Sequence, residues 1–286
     1  MTRISYLGPP GSFTEEAAIG FADGAEAELA PLASEAAVAE DVASRRSDFG
    51  VIAYYNFRKG LVQECLDLLY AKGLSIIDAR RVAIVLAIGE YQGSPDNHAV
   101  YSHPKALAQA SRWLLKNIPA ATCVEVASTS KAAETVGQSK SGLAIASAAT
   151  LRKYGLAIRV DDIAAENDDK GNKIPNYTDF YVVSAEKKFS ERRPGASYYR
   201  TMVAVAPSSD KPGLLMQIVA PFYAEDINLA KIHSRPGQNS AGNGGEPQMF
   251  YLEVEAHEKD ASFVRCAADL RKHNMRVLGS YERPGY

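Results

Sequence analysis

The sequence predicts an α/β protein built in two parts, and three observations carry that prediction. Through residue 190 short apolar strands alternate with helical segments, the rhythm of a layered α/β fold. Near 190–198 the chain turns polar and contains Pro and Gly (SERRPGAS), the composition of a linker. Beyond it, residues 198–286 read strand, helix, strand, strand, helix, strand, the ferredoxin-like βαββαβ order.

The elements follow in order. RISYLG (3–8) is a strand that ends in a Gly-Pro turn. TEEAAIGFA (14–22) starts a helix, with Ser12 or Thr14 as cap and Glu15 and Glu16 in the first turn, where the macrodipole favours acids. FGVIAYY (49–55) is a strand. LVQECLDLLYAKG (61–73) is a helix with Leu61, Cys65, Leu68 and Leu69 on its apolar side and Gly73 as its stop. RRVAIVLAIG (80–89) reads as one long strand and HAVYSH (98–103) as another; Pro104 then opens the helix 104–117. Strand 121–127, cap STS, helix 131–138, strand 141–147, helix 148–155 and strand 176–186 complete the first part. In the second part, strand 198–207, helix 212–226 and strand 228–236 lead to the Gly/Asn-rich loop 237–247. Strand 249–257, helix 259–274 and strand 275–282 close the chain.

Composition narrows the function. Hydrophobic residues are 46% and charged residues 23%, as in a soluble globular protein. A net charge of -2 argues against a nucleic-acid or membrane partner. No apolar run approaches the ~20 residues that span a bilayer. The start, MTRISYLGPPGS, has no secretion-signal pattern, so a cytoplasmic location is expected and a periplasmic solute-binding protein is not. Cys65, Cys123 and Cys266 are odd in number and far apart, and read as reduced thiols filling the core. No His, Cys, Asp or Glu cluster has metal-ligand spacing and no Gly-rich loop fits a nucleotide pattern, so no metal and no cofactor is expected. His103 reads as a capping or packing residue, and His98, His257 and His273 as surface.

The stretch GVIAYYNFRKG (50–60) runs a buried strand into two tyrosines, an Asn, a Phe and two cations. Strand ends in α/β sheets are where ligands bind. Three helix starts add to this: GPPGSFT at 8–14, SHPKA at 102–106 and STSKA at 128–132 each place Gly or hydroxyl residues directly after a strand. A helix N-terminus offers unpaired N–H groups and partial positive charge. Three such ends around one cleft would receive carboxylates, whereas singly each is an ordinary cap.

The motifs YLGPPGSFTEEAA, SHPKALAQ, STSKAAE, GLAIAS and NYTDF, in that order, resemble those of prephenate dehydratases. The tail KPGLLMQIVAPFYAEDINLAKIHSRP resembles the regulatory ACT domain fused to them. The resemblance implies a catalytic domain over 1–190 folded as two lobes like a type II periplasmic-binding protein, and an ACT domain over 198–286. Lobe A would take about 1–78 and 180–190 and lobe B about 79–179, with crossings near 78–82 and 176–180 and the substrate between the lobes. It implies prephenate as substrate, Thr178 as the catalytic hydroxyl, Asn56 beside it, and a binding set of Gly11, Ser12, Phe13, Thr14, Ser102, His103, Ser128, Thr129, Ser130 and Phe180.

The sequence departs from the family where chemistry is expected. The family reads GV-P-ENS-xG; here Pro is Ala53, Glu is Tyr55 and the hydroxyl residue after Asn is Phe57. The family's Thr-Arg-Phe is Thr178-Asp179-Phe180. Losing an Arg and gaining an Asp removes two positive charges from a site meant for a dianion. Arg58 or Lys59 could supply a replacement, because guanidinium pairs with carboxylate in bidentate fashion. Tyr54 and Tyr55 read either as core, since strand-end aromatics usually pack, or with a phenol facing the ligand; with Tyr55 as that phenol and Asp179 as an acid there, these changes favour a non-aromatising prephenate decarboxylase, which loses carbon dioxide but keeps the ring hydroxyl. The alternatives are a prephenate dehydratase giving phenylpyruvate, and an inactive amino-acid-sensing binding protein.

In the tail, Gly213-Leu214-Leu215 and His233-Ser234-Arg235-Pro236 echo the phenylalanine-binding motifs GAL and ESRP, with His233 in place of Glu. The resemblance implies a homo-oligomer, dimer or tetramer, that holds phenylalanine or a relative where these segments of two subunits meet.

Overall fold

The computed structural model describes residues 1–93, 98–166, 169–170, 172–186, 198–209, 211–236 and 248–284. The expected linker at 190–197 and the loop at 237–247 lie outside them.

The chain opens with β1 (Thr2–Leu7), α1 (Phe13–Ala22), β2 (Ala27–Leu32), α2 (Glu35–Ala43), β3 (Phe49–Asn56), the short β4 (Gly60–Leu61), α3 (Gln63–Lys72) and β5 (Ser75–Ala83). It then builds a second sheet from β6 (Ala87–Glu90), β7 (Ala99–Ser102), α4 (Pro104–Asn117), β8 (Thr122–Glu125), α5 (Thr129–Ser139), β9 (Leu143–Ala146), α6 (Ala148–Lys153) and β10 (Ala157–Val160). β11 (Tyr177–Ser184) returns to the first sheet and inserts antiparallel between β3 and β5, giving the order β2-β1-β3-β11-β5. The second sheet runs β10-β6-β9-β7-β8. These are two α/β lobes joined by two crossings, the type II binding-protein arrangement.

Three expectations are corrected. The run 80–89 is two strands, because β5 ends at Ala83 and β6 begins at Ala87 in the other lobe. Lobe limits at 79 and 179 would cut β5 and β11; the first sheet keeps both strands whole, so the chain leaves it after Ala83 and re-enters it at Tyr177. β2 and α2 occupy a stretch to which the sequence pattern assigned nothing. β2 contains Pro31 and lies at the sheet edge, where a missing N–H is tolerated.

The C-terminal part comprises β12 (Tyr199–Val205), α7 (Leu214–Ala224), β13 (Leu229–Pro236), β14 (Gln248–Val254), α8 (Ala261–Leu270) and β15 (Met275–Glu282), in sheet order β13-β14-β12-β15. This is the ferredoxin-like βαββαβ fold. One core joins Ile218 and Phe222 of α7 and Phe263 and Leu270 of α8 to the sheet. Another is shared with the first lobe: Met202, Tyr251, Leu278 and Tyr281 pack with Ile52, Tyr54, Ile76 and Tyr181. Gly279 (φ +149) crosses β5 so closely that any Cβ there would overlap the Ile76 carbonyl. His257, read as a surface residue, is fully buried edge-on to the Tyr199 ring, and its Nδ1 accepts the Lys259 N–H.

Candidate active site

The opening stretch is organised by a β-bulge. β3 pairs with β11 as Ala53↔Phe180, Tyr55↔Asp179 and Asn56↔Thr178, so Tyr54 is the extra residue. Two consecutive tyrosines thereby face the same side, toward the C-terminal sheet, where Tyr54 is buried and Tyr55 packs against the same core. Ala53 and Asn56, on either side of the bulge, line a cavity of about 260 Å³ together with Thr14, Thr178 and Phe180. Asn56 Nδ2 donates to Thr178 Oγ1 at 3.0 Å and to the Tyr177 carbonyl at 3.2 Å. Its Oδ1 accepts the Arg58 and Lys59 amides at 3.1 and 3.0 Å.

The second lobe supplies the facing wall. A cavity of about 240 Å³ there is lined by His103, Lys105, Ser128 and Thr129, at the N-termini of α4 and α5. Phe13, Ile84 and Gln109 line both cavities, so the two form one cleft between the lobes. His103 Nδ1 accepts the Lys105 amide at 3.2 Å and Ser128 Oγ accepts that of Lys131 at 3.0 Å, so both residues cap helices at the cleft edge. Ser12 Oγ likewise caps α1 through the Glu15 amide. Ile84 is a cleft residue outside the motifs, and Lys105, Gln109 and Asn176 are cleft residues inside them to which the sequence assigns no role. Gln109 follows Lys105 by four residues on α4, the spacing that puts both on one helix face.

Arg58 and Lys59 both line the cleft. Arg58 is largely buried; its Nη1 donates to Glu166 at 2.8 Å, and Glu166 itself is 60% exposed. Among the described residues no group of three or more His, Cys, Asp or Glu gathers as metal ligands would.

Several expected site residues sit elsewhere. Tyr55, placed as a catalytic phenol, lies under the Lys231 ammonium on the far side of the sheet. Asp179, placed as a ligand-facing acid, is held bidentate by Arg81 of β5 at 2.7 and 3.0 Å, on the strand face opposite Thr178, so its charge is compensated inside the fold. Ser102 is fully buried and donates to the Ile145 carbonyl at 2.7 Å. Gly11 and Ser130 meet where the lobes touch: a Cβ on Gly11 (φ +83) would stand 2.7 Å from Ser130 Oγ, and the Gly11 carbonyl accepts from Thr150 Oγ1. Beside that contact Glu16 accepts from Ser147 at 2.6 Å, and burial, more than the neighbouring Glu15 charge, raises its carboxyl above the ordinary range against the lowering effect of that bond.

In the tail, Gly213 (φ +83) begins α7 without a side-chain cap; Leu214 is buried and Leu215 exposed. On the edge strand β13, His233 and Arg235 are half-buried while Ser234 and Pro236 are exposed. Arg235, expected near a partner subunit, donates at 2.8 Å to Asp67 of α3 in its own chain, which also accepts from Tyr251.

Comparison with known proteins agrees with this architecture. The family model described as prephenate dehydratase matches residues 4–188. A bifunctional chorismate mutase/prephenate dehydratase of Aquifex aeolicus is 31% identical over 284 residues, covering 98% of this chain and 74% of that one. A prephenate dehydratase of Amycolatopsis methanolica is 28% identical over 99% of this chain and 89% of its own. Among solved structures, the prephenate dehydratase of Arthrobacter aurescens in complex with L-Phe superposes with a TM-score of 0.79 at 27% identity, covering 100% of this chain and 92% of that chain.

Proposed function

This chain belongs to the prephenate dehydratase family, and from that premise we propose that it is a lyase that consumes prephenate in the cleft between its two lobes. The observation that carries the reading is the Asn56–Thr178 pair at the cleft wall, with Arg58 and Lys59 beside it. Prephenate is a dianion. Arg58, Lys59 and the N-termini of α4 and α5 offer positive charge and N–H donors on opposite walls for its two carboxylates. Thr178 Oγ1 accepts from Asn56, which leaves its own proton for the substrate.

The product is proposed to be phenylpyruvate. The C4–O bond breaks as the hydroxyl takes a proton and leaves as water. The ring carboxylate leaves as carbon dioxide, and its bonding pair completes the aromatic ring. Thr178 is proposed as the donor to that leaving group, in the role of a positioned proton-transfer group. Relatives of this name over nearly the whole chain support the dehydratase reading. The non-aromatising decarboxylase stands second. Tyr55 and Asp179, which favour it in the sequence, face away from the cleft; what still supports it is the substituted wall itself, where Ala53 replaces the family Pro and Arg58 lies beside it.

Incubation of the pure protein with prephenate, followed by absorbance and mass, decides. Phenylpyruvate identifies the dehydratase and a dihydro-4-hydroxyphenylpyruvate the decarboxylase. Binding without turnover leaves an amino-acid sensor.

For the tail, we propose an aromatic amino acid as effector, bound near Gly213–Leu215 and His233–Pro236 of a homo-oligomer and closing the catalytic cleft. The L-Phe complex of the Arthrobacter relative supports it. Thermal shifts with phenylalanine, tyrosine and tryptophan, repeated on Gly213→Val, test it, since a ligand of the native state alone raises the melting temperature. No shift with any of them removes the effector, and a monomer in solution removes the oligomer.

A further inference from the structure

We propose that Lys231, on the C-terminal sheet, is a positioning residue that sets the Asn56–Thr178 pair through the Tyr54–Tyr55 bulge. The inference rests on the reading of that pair as catalytic. Lys231 Nζ lies 4.7 Å from the centre of the Tyr54 ring and 4.2 Å from that of Tyr55, so one ammonium covers both bulge rings. Cations over aromatic faces are attracted by the ring quadrupole, more strongly when desolvated. The same Nζ is 3.0 Å from Glu253, a carboxylate only 2% exposed, to which the Tyr54 hydroxyl also donates at 3.3 Å.

The bulge needs such a clamp. Tyr54 has no place in the β11 register, and its carbonyl accepts from the Val62 amide instead. An extra residue in a ladder can relax back into regular alternation. If it did, Asn56 would turn from the cleft to the opposite face, since a slip of one residue reverses every side chain beyond it. Packing from the far side holds it: Tyr54 stacks on Tyr181 of β11 with ring centres 4.2 Å apart, and Tyr181 and Tyr281 hydroxyls meet at 2.8 Å.

Lys231 is the strongest but not the only group that neutralises Glu253. Arg200 donates to that carboxylate at 3.1 Å and the Tyr281 hydroxyl at 2.6 Å. Burial raises the Glu253 carboxyl, but Lys231, Tyr281 and Arg200 together outweigh it and hold the group below its ordinary range. The contacts particular to Lys231 are the two rings. Lys231 also precedes His233 by two residues on the edge strand, which connects the proposed effector region to the cleft by one side chain.

The test compares Lys231→Gln, Lys231→Arg and Tyr55→Leu with the wild-type protein. In Lys231→Gln and Tyr55→Leu, kcat with prephenate falls about tenfold while KM stays within about twofold, the signature of lost transition-state positioning. In the same variants, hydrogen-exchange protection of the Arg58 and Lys59 amides, which bond Asn56 Oδ1, falls about tenfold. Lys231→Arg restores both. Wild-type kcat and amide protection in either folded variant, or a lower melting temperature with those amides still protected, overturn the proposal. Tyr55→Leu decides if Lys231→Gln fails to fold. If the wild-type protein leaves prephenate unchanged, the functional reading falls while amide exchange still judges Lys231.

Discussion

Asn56 and Thr178 face each other across the β3–β11 ladder, with Nδ2 donating to Oγ1 at 3.0 Å. The bond makes the threonine an acceptor there and aims its proton elsewhere. Thr178→Ala is expected to lower turnover of prephenate by at least ~100-fold, the low end for a positioned proton-transfer group. Thr178→Ser should keep most of it. Steady-state kinetics on the folded variants check this, and an alanine variant with wild-type kcat rules the role out.

Asp179 and Arg81 form a largely buried bidentate pair, with side chains 11% and 14% exposed. Removing one partner leaves a desolvated charge. Asp179→Asn is expected to destabilise by about 3–5 kcal/mol, the range for breaking buried pairs, and to leave the product unchanged. Restoring the family residues together, Asp179→Arg with Tyr55→Glu, should cost more stability and still not redirect the reaction. Melting curves and product analysis measure both; a folded double variant with a new product would return these positions to the site.

On the proposed reading Arg58 binds a substrate carboxylate, and Glu166 is placed to compete for it. The guanidinium lines the cleft and donates to this exposed carboxylate. Glu166→Gln should lower KM by up to about fivefold, as expected from the ~0.2–1 kcal/mol of an exposed ion pair, with kcat unchanged. The effect should vanish in an Arg58→Gln background. A higher KM in Glu166→Gln would mean that the carboxylate orients Arg58 and does not block it.

Glu16 gives the lobe contact a pH dependence. Burial raises its carboxyl above the ordinary 4.5, so the folded state holds the proton more tightly than the unfolded one. Its contribution to stability is therefore largest in acid, is lost as pH rises through the raised value, and stays lost at neutral pH. Glu16→Gln keeps an acceptor for Ser147 without the charge. It should raise the melting temperature at neutral pH and make no difference well below pH 4.5. A variant less stable than wild type at neutral pH would show that the charge itself is needed.

Much of the architecture was legible because local signals agreed. Pro104 and Gly73 mark a helix start and a helix stop, and the caps at Ser12 and Ser128 lie where the hydroxyls stand after strands. Asn56, Thr178, Phe13 and His103 were readable as motif residues and share the cleft. The rest depended on information no local pattern carries. The run VAIVLAIG is apolar throughout, so the crossing between lobes inside it has no composition break. Sequence position alone points Tyr55 and Asp179 at the ligand, but a bulge decides facing by ladder count, and Arg81, the partner that absorbs Asp179, lies 98 residues away.

Gly279 has a mechanical consequence. Where β15 crosses β5 the two chains meet main chain to main chain, with no side chain between them to change rotamer. Such a seam cannot creep as layers of packed side chains do. Together with the core that the first lobe shares with the C-terminal sheet, this contact joins the two into one slab.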